Sequence, residues 1–197
     1  QMDYLTAFAD GFAAKIARAL DIAALHGVNP ADGAASTAVG SKSFDTLVTN
    51  TVTYAAATAD DNIDDAVKLI QDNDGVITGI AMSTEFASAL SKIKANNVSQ
   101  YPEFRFGANP ATFAGIPSDV NSTMAFGTSK DQAVVGDFAN AFRWGYAANV
   151  PMEVIQYGDP DGLGDLKKQN QVVLRAEAYI GWGILDAKSF CRIITAA

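Results

Sequence analysis

Apolar residues recur near the start of the chain at alternating spacings of three and four: Met2, Leu5, Ala9, Phe12, Ile16, Ala19 and Ala23. That spacing puts them on one stripe of a helix, which Phe8, Leu20 and Ile22 widen. The pattern predicts a helix of about 24 residues, about 36 Å long, ending where Gly27, Asn29 and Pro30 break it. It reads as a spine rather than a coiled-coil strand, since Ala9, Ala19 and Ala23 are small and only about three heptads are sustained. From Asn29 to Ser43 the composition turns to Gly, Ala, Ser and Thr, which predicts a loop.

Ile63, Ala66, Val67 and Ile70 mark a second helix, and Asp60, Asp61, Asp64 and Asp65 at its start suit the positive end of the helix dipole. Asp72-Asn73-Asp74-Gly75 reads as a turn. Val76 to Met82 then predicts a buried strand, and Ser83 caps a third helix with Phe86, Ala89, Leu90 and Ile93 on one face. After Gly115-Ile116-Pro117, strand-like runs follow at Ala133–Phe138, Ala141–Ala147, Val150–Tyr157 and Gln171–Gly181. In the last, Val172, Leu174, Ala176, Ala178 and Ile180 alternate with Val173, Arg175, Glu177 and Tyr179, the pattern of a half-buried strand. Arg175 and Glu177 suit a solvated face or a neighbouring subunit. No internal repeat is evident.

The 197 residues suit one large domain or two intimately packed ones, enough for a real core without metal or disulfide. A net charge of -8 with no Lys/Arg cluster argues against holding nucleic acid by neutralising its phosphates. No apolar run is long enough for a membrane-spanning helix. Asp3, Asp10 and Asp21 interrupt the first helix, and no basic segment precedes it, so it does not read as a signal peptide. Gln1 before Met2 reads as a cut end or an added residue.

The inventory of catalytic parts is short. Cys191 is the single cysteine and sits between Phe190 and Arg192, which suits a small buried hydrophobe. His26 is the single histidine, at the predicted end of the first helix, where a cation-capable residue is favoured. A hydrolase using Ser83 or Cys191 with His26 is a remote alternative. One His and one Cys cannot supply a zinc site. Asp159-Pro160-Asp161-Gly162 with Asp165 resembles a calcium loop but fails on spacing, with Leu163 and Asn170 where ligands belong. No phosphate-cradling glycine motif is present, and basic-aromatic interleaving is confined to Phe142-Arg143-Trp144. No cofactor, metal or catalytic residue is assigned, and the chain reads as a non-enzyme.

Three segments in order carry a family resemblance: FAGIPSDVNSTM at 113–124, GDFANAFRWGYAANVPMEV at 136–154 and QNQVVLRAEAYIGWGILDAKSF at 169–190. With the long helix upstream they resemble the major capsid proteins of tailed bacteriophages and prophages, the Hong Kong 97-like fold shared with encapsulin shells. Arg175, Glu177, Gly181, Asp186 and Phe190 fall where the closing pattern has them.

The resemblance implies an α+β fold: a long spine helix, a peripheral antiparallel sheet and a mixed α/β axial domain. Residues 1–29 with 148–184 would form the peripheral domain, and 30–147 with 185–197 the axial one. The family's N-terminal arm and extended loop are expected to be missing from this chain. The implied function is a structural subunit of an icosahedral shell, assembling as pentamers and hexamers around double-stranded DNA that is enclosed without specific binding. An encapsulin-type nanocompartment is the alternative. Implied partners are further copies of the chain, with scaffold, protease and portal proteins, and no membrane. The implied place is the virion capsid, assembled in the bacterial host cytoplasm. Arg175, Glu177, Arg143 and Trp144 are the candidate inter-subunit contacts, as polar or aromatic groups on predicted strand faces.

Overall fold

The structure is a computed structural model that describes residues 2–196, with side chains described outside 2–5 and 149–151. Helix α1 runs Met2–His26. Ala9, Phe12, Ile16, Ala19 and Ala23 are half-buried along it, as their spacing predicts, and burial becomes complete at Ile22, Ala24 and Leu25. Gly27 ends the helix at φ +65°, its N–H donating to the Ala23 carbonyl at 3.0 Å. A Cβ there would stand 2.7 Å from Gly40 Cα, so glycine is required by space as well as by φ.

The chain continues through α2 (Phe44–Leu47), β1 (Thr51–Thr53), α3 (Ala59–Gln71), β2 (Gly79–Met82) and α4 (Thr84–Lys92). A short hairpin, β3 (Lys94–Ala95) and β4 (Val98–Ser99), leads to a 3-10 segment at Pro102–Gly107. There follow β5 (Thr112–Phe113), β6 (Ile116–Val120), β7 (Asp131–Gly136), β8 (Phe142–Ile155), α5 (Leu166–Gln169), β9 (Val173–Ile184) and β10 (Phe190–Ile194). Contacts divide the chain into two units: Gln1–Ala17 with Trp144–Gly181, and Arg18–Arg143 with Trp182–Ala197.

The larger unit is a six-stranded sheet in the order β1-β10-β7-β2-β6-β5. Pairing is antiparallel at β10–β7, β7–β2 and β6–β5, and parallel at β1–β10 and β2–β6. Register sets the two faces. Ile80, Val135 and Cys191 align across three strands, as do Met82, Ala133 and Ile193, and these pack with Ile63, Ala66 and Ile70 of α3 and Phe86 and Leu90 of α4. On the opposite face Val134 and Phe190 join Leu25, Phe44, Val48, Met124 and Ala141. The Phe44 and Phe190 rings meet edge to face at 5.0 Å, and Phe138 and Phe190 at 5.2 Å. Each large apolar side chain buried here contributes roughly 1.5–3 kcal/mol.

The predicted cap holds: Ser83 Oγ accepts from Phe86 N–H at 3.0 Å and donates to Gln132 Oε1 at 2.6 Å. The predicted strand Val76–Met82 is shorter than expected. Val76 is exposed, and pairing begins at Gly79 opposite Gly136.

In the smaller unit the two runs predicted at 141–147 and 150–157 are one strand, β8, paired with β9. Pro151 does not divide it, because each strand of a two-stranded sheet has an unpaired edge where proline is tolerated. Helix α5 has no counterpart in the sequence reading. Asp165 caps it by accepting from Lys168 N–H at 3.1 Å, and Asn170 at φ +55° ends it. Nearby, Asp161 accepts from Leu163 N–H and Asp159 from Gly164 N–H, so those carboxylates hold a turn.

Gly136 is the tightest point of the sheet, since a Cβ would lie 2.4 Å from Phe190 Cδ1 and 2.5 Å from the Ser189 carbonyl. Gly136→Ala is expected to lower the unfolding free energy by roughly 1–3 kcal/mol in a urea titration. Gly183→Ala, with open space at its Cβ, serves as the control, and equal stability of the two variants would contradict this packing.

Candidate functional site

The four predicted contact residues fall at two places. In β9, Arg175, Glu177 and Tyr179 form a row on one face by strand alternation. The Arg175 guanidinium pairs with the Glu177 carboxylate, and Tyr179 Oη donates to Glu177 Oε2 at 3.5 Å. Arg175 and Tyr179 are exposed and Leu174, Ala176, Ala178 and Ile180 half-buried, as the alternation predicts, but Val173 and Glu177 on the outward face are half-buried too. Val172 departs from it, being exposed one residue before the strand begins.

In β8, Trp144 and Tyr146 project from one face, each about half exposed, with rings edge to face at 5.7 Å. Arg143 lies in the other unit. Its guanidinium donates to the carbonyls of Ala139 and Phe142, which fixes it to its own turn. The structure therefore brings Arg175 and Glu177 together within one unit and assigns Arg143 to the other.

A second constellation lies in the larger unit. His26 lies in the last turn of α1, where the sequence places it, and is buried in an ionic cluster. Its Nδ1 lies 3.1 Å from Asp45 Oδ2 and its Nε2 2.7 Å from the Thr123 carbonyl. Both partners are acceptors, so both nitrogens donate when the ring is the imidazolium. Arg192 Nη2 stands 2.8 Å from Asp131 Oδ1 and 3.0 Å from Asp45 Oδ1. The Asp45 contact is a charge contact, because that oxygen accepts no aligned hydrogen bond. Asp131 is fully buried, 3.9 Å from His26 Nδ1. The ligand atoms of His26, Asp45 and Asp131 all lie within 4.8 Å of one another, a spacing open to a metal ion, but Arg192 already supplies the positive charge.

Burial pushes the Asp131 carboxyl up to about 7, helped by the neighbouring Asp45, and outweighs Arg192. Burial alone would lower His26, but its bonds to Asp45 and Thr123 and both carboxylate charges hold it above the ordinary imidazole range. Burial also opposes charge on Asp45, yet His26, Asp131 and Arg192 keep it below the usual carboxylate range.

Sequence reasoning found only His26 here. The available signal was Arg192, a lone charge inside the apolar strand Phe190–Ile194, which calls for a buried partner. Neither candidate nucleophile joins His26 by a hydrogen bond among the described residues. Ser83 is engaged with Gln132, and Cys191 is fully buried, its thiol pushed up to about 11 by burial.

The cluster makes stability depend on pH with a definite sign. Asp131 and His26 both hold protons more tightly folded than unfolded, so the unfolding free energy falls as pH rises from 3.8 through about 7 on account of Asp131, and from 6.5 upward on account of His26. Asp45 acts oppositely, and only in acid. Asp131→Asn is expected to flatten this decline in thermal melts between about pH 5 and about pH 8; parallel pH profiles for the two proteins would refute it.

The phage capsid family matches residues 2–193. A solved structure from Mycobacterium phage Ogopogo superimposes with a TM-score of 0.85 at 34% identity, covering 98% of this chain and 68% of that one. One from Gordonia phage Cozz gives 0.83 at 24% identity, covering 99% and 64%. The capsid of an empty GTA particle gives 0.61 at 19%, covering 99% and 67%. No curated protein matches. With the family matched over nearly its whole length, and a phage structure at 34% identity superimposing on almost all of it, the chain belongs to the phage capsid family.

Proposed function

We propose that the chain is a subunit of an icosahedral phage shell with the Hong Kong 97-like fold, assembling as pentamers and hexamers around double-stranded DNA. The observation that carries this reading is the superposition on the Mycobacterium phage Ogopogo structure at 34% identity. The likeness to the GTA capsid supports the same fold. On this reading residues 30–147 with 185–197 take the axial position at the capsomer centre, and 1–29 with 148–184 the peripheral one.

A net charge of -8 supports confinement of DNA without grip, because a chain with an excess of carboxylates does not hold phosphate by neutralising it. The exposed rows of β8 and β9 are the contact surfaces in this reading. Trp144 offers an aromatic anchor of the kind that dominates interfaces, and the paired Arg175 and Glu177 offer both signs of charge.

The complete coding sequence, expressed in bacteria and imaged by electron microscopy, is expected to give closed shells or rings of five and six. Persistent monomers at every protein and salt concentration would overturn the reading. Trp144→Ala and Arg175→Glu are each expected to cut the assembled fraction about tenfold or more, with an unchanged thermal midpoint for the single subunit.

A further inference from the structure

Phe106 is fully exposed, and its backbone sits at φ +60°. A left-handed backbone is unfavourable for a bulky residue, and a ring in water adds nothing to the fold of one chain. The loop is nevertheless firmly placed. Two residues earlier Phe104 is buried in the core on the α3–α4 side of the sheet, its ring 5.3 Å from Phe113. The Arg105 guanidinium lies 5.6 Å from the Phe106 ring, and no acidic partner for it exists among the described residues. The loop thus projects a basic-aromatic prong from an anchored base.

On the opposite face of the same sheet lies an open apolar cleft of about 290 Å³. Gly79 and Ala81 of β2 with Pro117 and Asp119 of β6 line its floor, and Phe138 forms a wall. The floor is low because its residues are small, and a Cβ on Gly79 would come within 2.9 Å of Phe138 Cδ2. A cavity of about 150 Å³ already holds a benzene ring, so a phenyl side chain fits. Asp119 is exposed at this cleft, accepts only from the Asn109 and Asn121 amides, and has no cationic partner among the described residues.

We propose that Phe106 of one copy docks in the cleft over β2 and β6 of a second copy, with Arg105 meeting Asp119. This rests on the shell-building reading and names one of its contacts. The shapes agree, a ring and a small-residue cleft, and so do the signs of charge. Prong and cleft lie on opposite sides of one sheet, so the contact is heterologous: each copy gives a prong to one neighbour and receives one from another. Repeated head to tail with a rotation that closes, such a contact makes a ring.

The complete coat protein provides the test, by analytical ultracentrifugation and electron microscopy. Phe106→Ala and Arg105→Glu are each expected to reduce the assembled fraction about tenfold or more, with subunit melting unchanged. Asp119→Arg combined with Arg105→Glu is expected to recover assembly. Phe106→Cys together with Ala81→Cys, mildly oxidised, is expected to give a covalent ladder that neither single variant gives, and the buried Cys191 stays out of it. A wild type that assembles, beside Phe106→Ala and Arg105→Glu variants that assemble equally well and a cysteine pair that gives no ladder, overturns this contact alone. A wild type that never assembles overturns the shell-building reading and this contact with it.

Discussion

The larger unit is organised by the double-sided burial of β7. All six residues from Asp131 to Gly136 are buried, and the cores on the two faces of the sheet meet across this strand. Ala133 and Val135 belong to the α3–α4 side, while Val134 belongs to the side closed by α2 and the end of α1. A strand enclosed on both faces must pair all its backbone groups, and β2 and β10 do this from either edge. At Gly136 the constraint tightens to exclude a methyl group, because the Phe190 ring already occupies that space.

The strand's polar end explains the ionic cluster. Asp131 sits at the start of β7 with no water to solvate it, so its charge must be matched or its proton kept. Arg192 from the neighbouring strand and His26 from α1 supply positive charge, while the Asp45 carboxylate from α2 favours the retained proton. The end of α1 is thereby tied to α2 and to the turn before β7 by directional bonds, as well as to the core by Leu25. Removing one member leaves the others buried and uncompensated, so the cluster behaves as a unit.

Much of the fold was legible in the sequence. Alternating spacings of three and four located α1, Gly27 its end and Ser83 the start of α4, because each feature is fixed by neighbours within a few residues. The alternation of β9 located its two faces for the same reason. What escaped was set at longer range or shorter length. Helix α5 has four residues, fewer than a periodic pattern needs, and rests on the Asp165 cap. The unity of β8 depends on its having a free edge, which is a property of the sheet. The cluster joins positions 26, 45, 131 and 192, which only the folded topology brings together. The candidate contacts were legible as polar or aromatic groups on strand faces, but not the bonds of Arg143 to the Ala139 and Phe142 carbonyls.

The two charged constellations differ in their access to solvent, and that difference sets how each responds to salt. Ions in solution screen charges they can approach: they reach the exposed Arg175 and its half-buried partner Glu177, and have almost no access to the sealed Asp131. Ionic strength therefore acts selectively on this protein. Concentrated salt weakens the surface pair Arg175–Glu177 and leaves the buried pair Asp131–Arg192 in place, so any association that draws on the surface charges loosens at ionic strengths that the fold itself withstands.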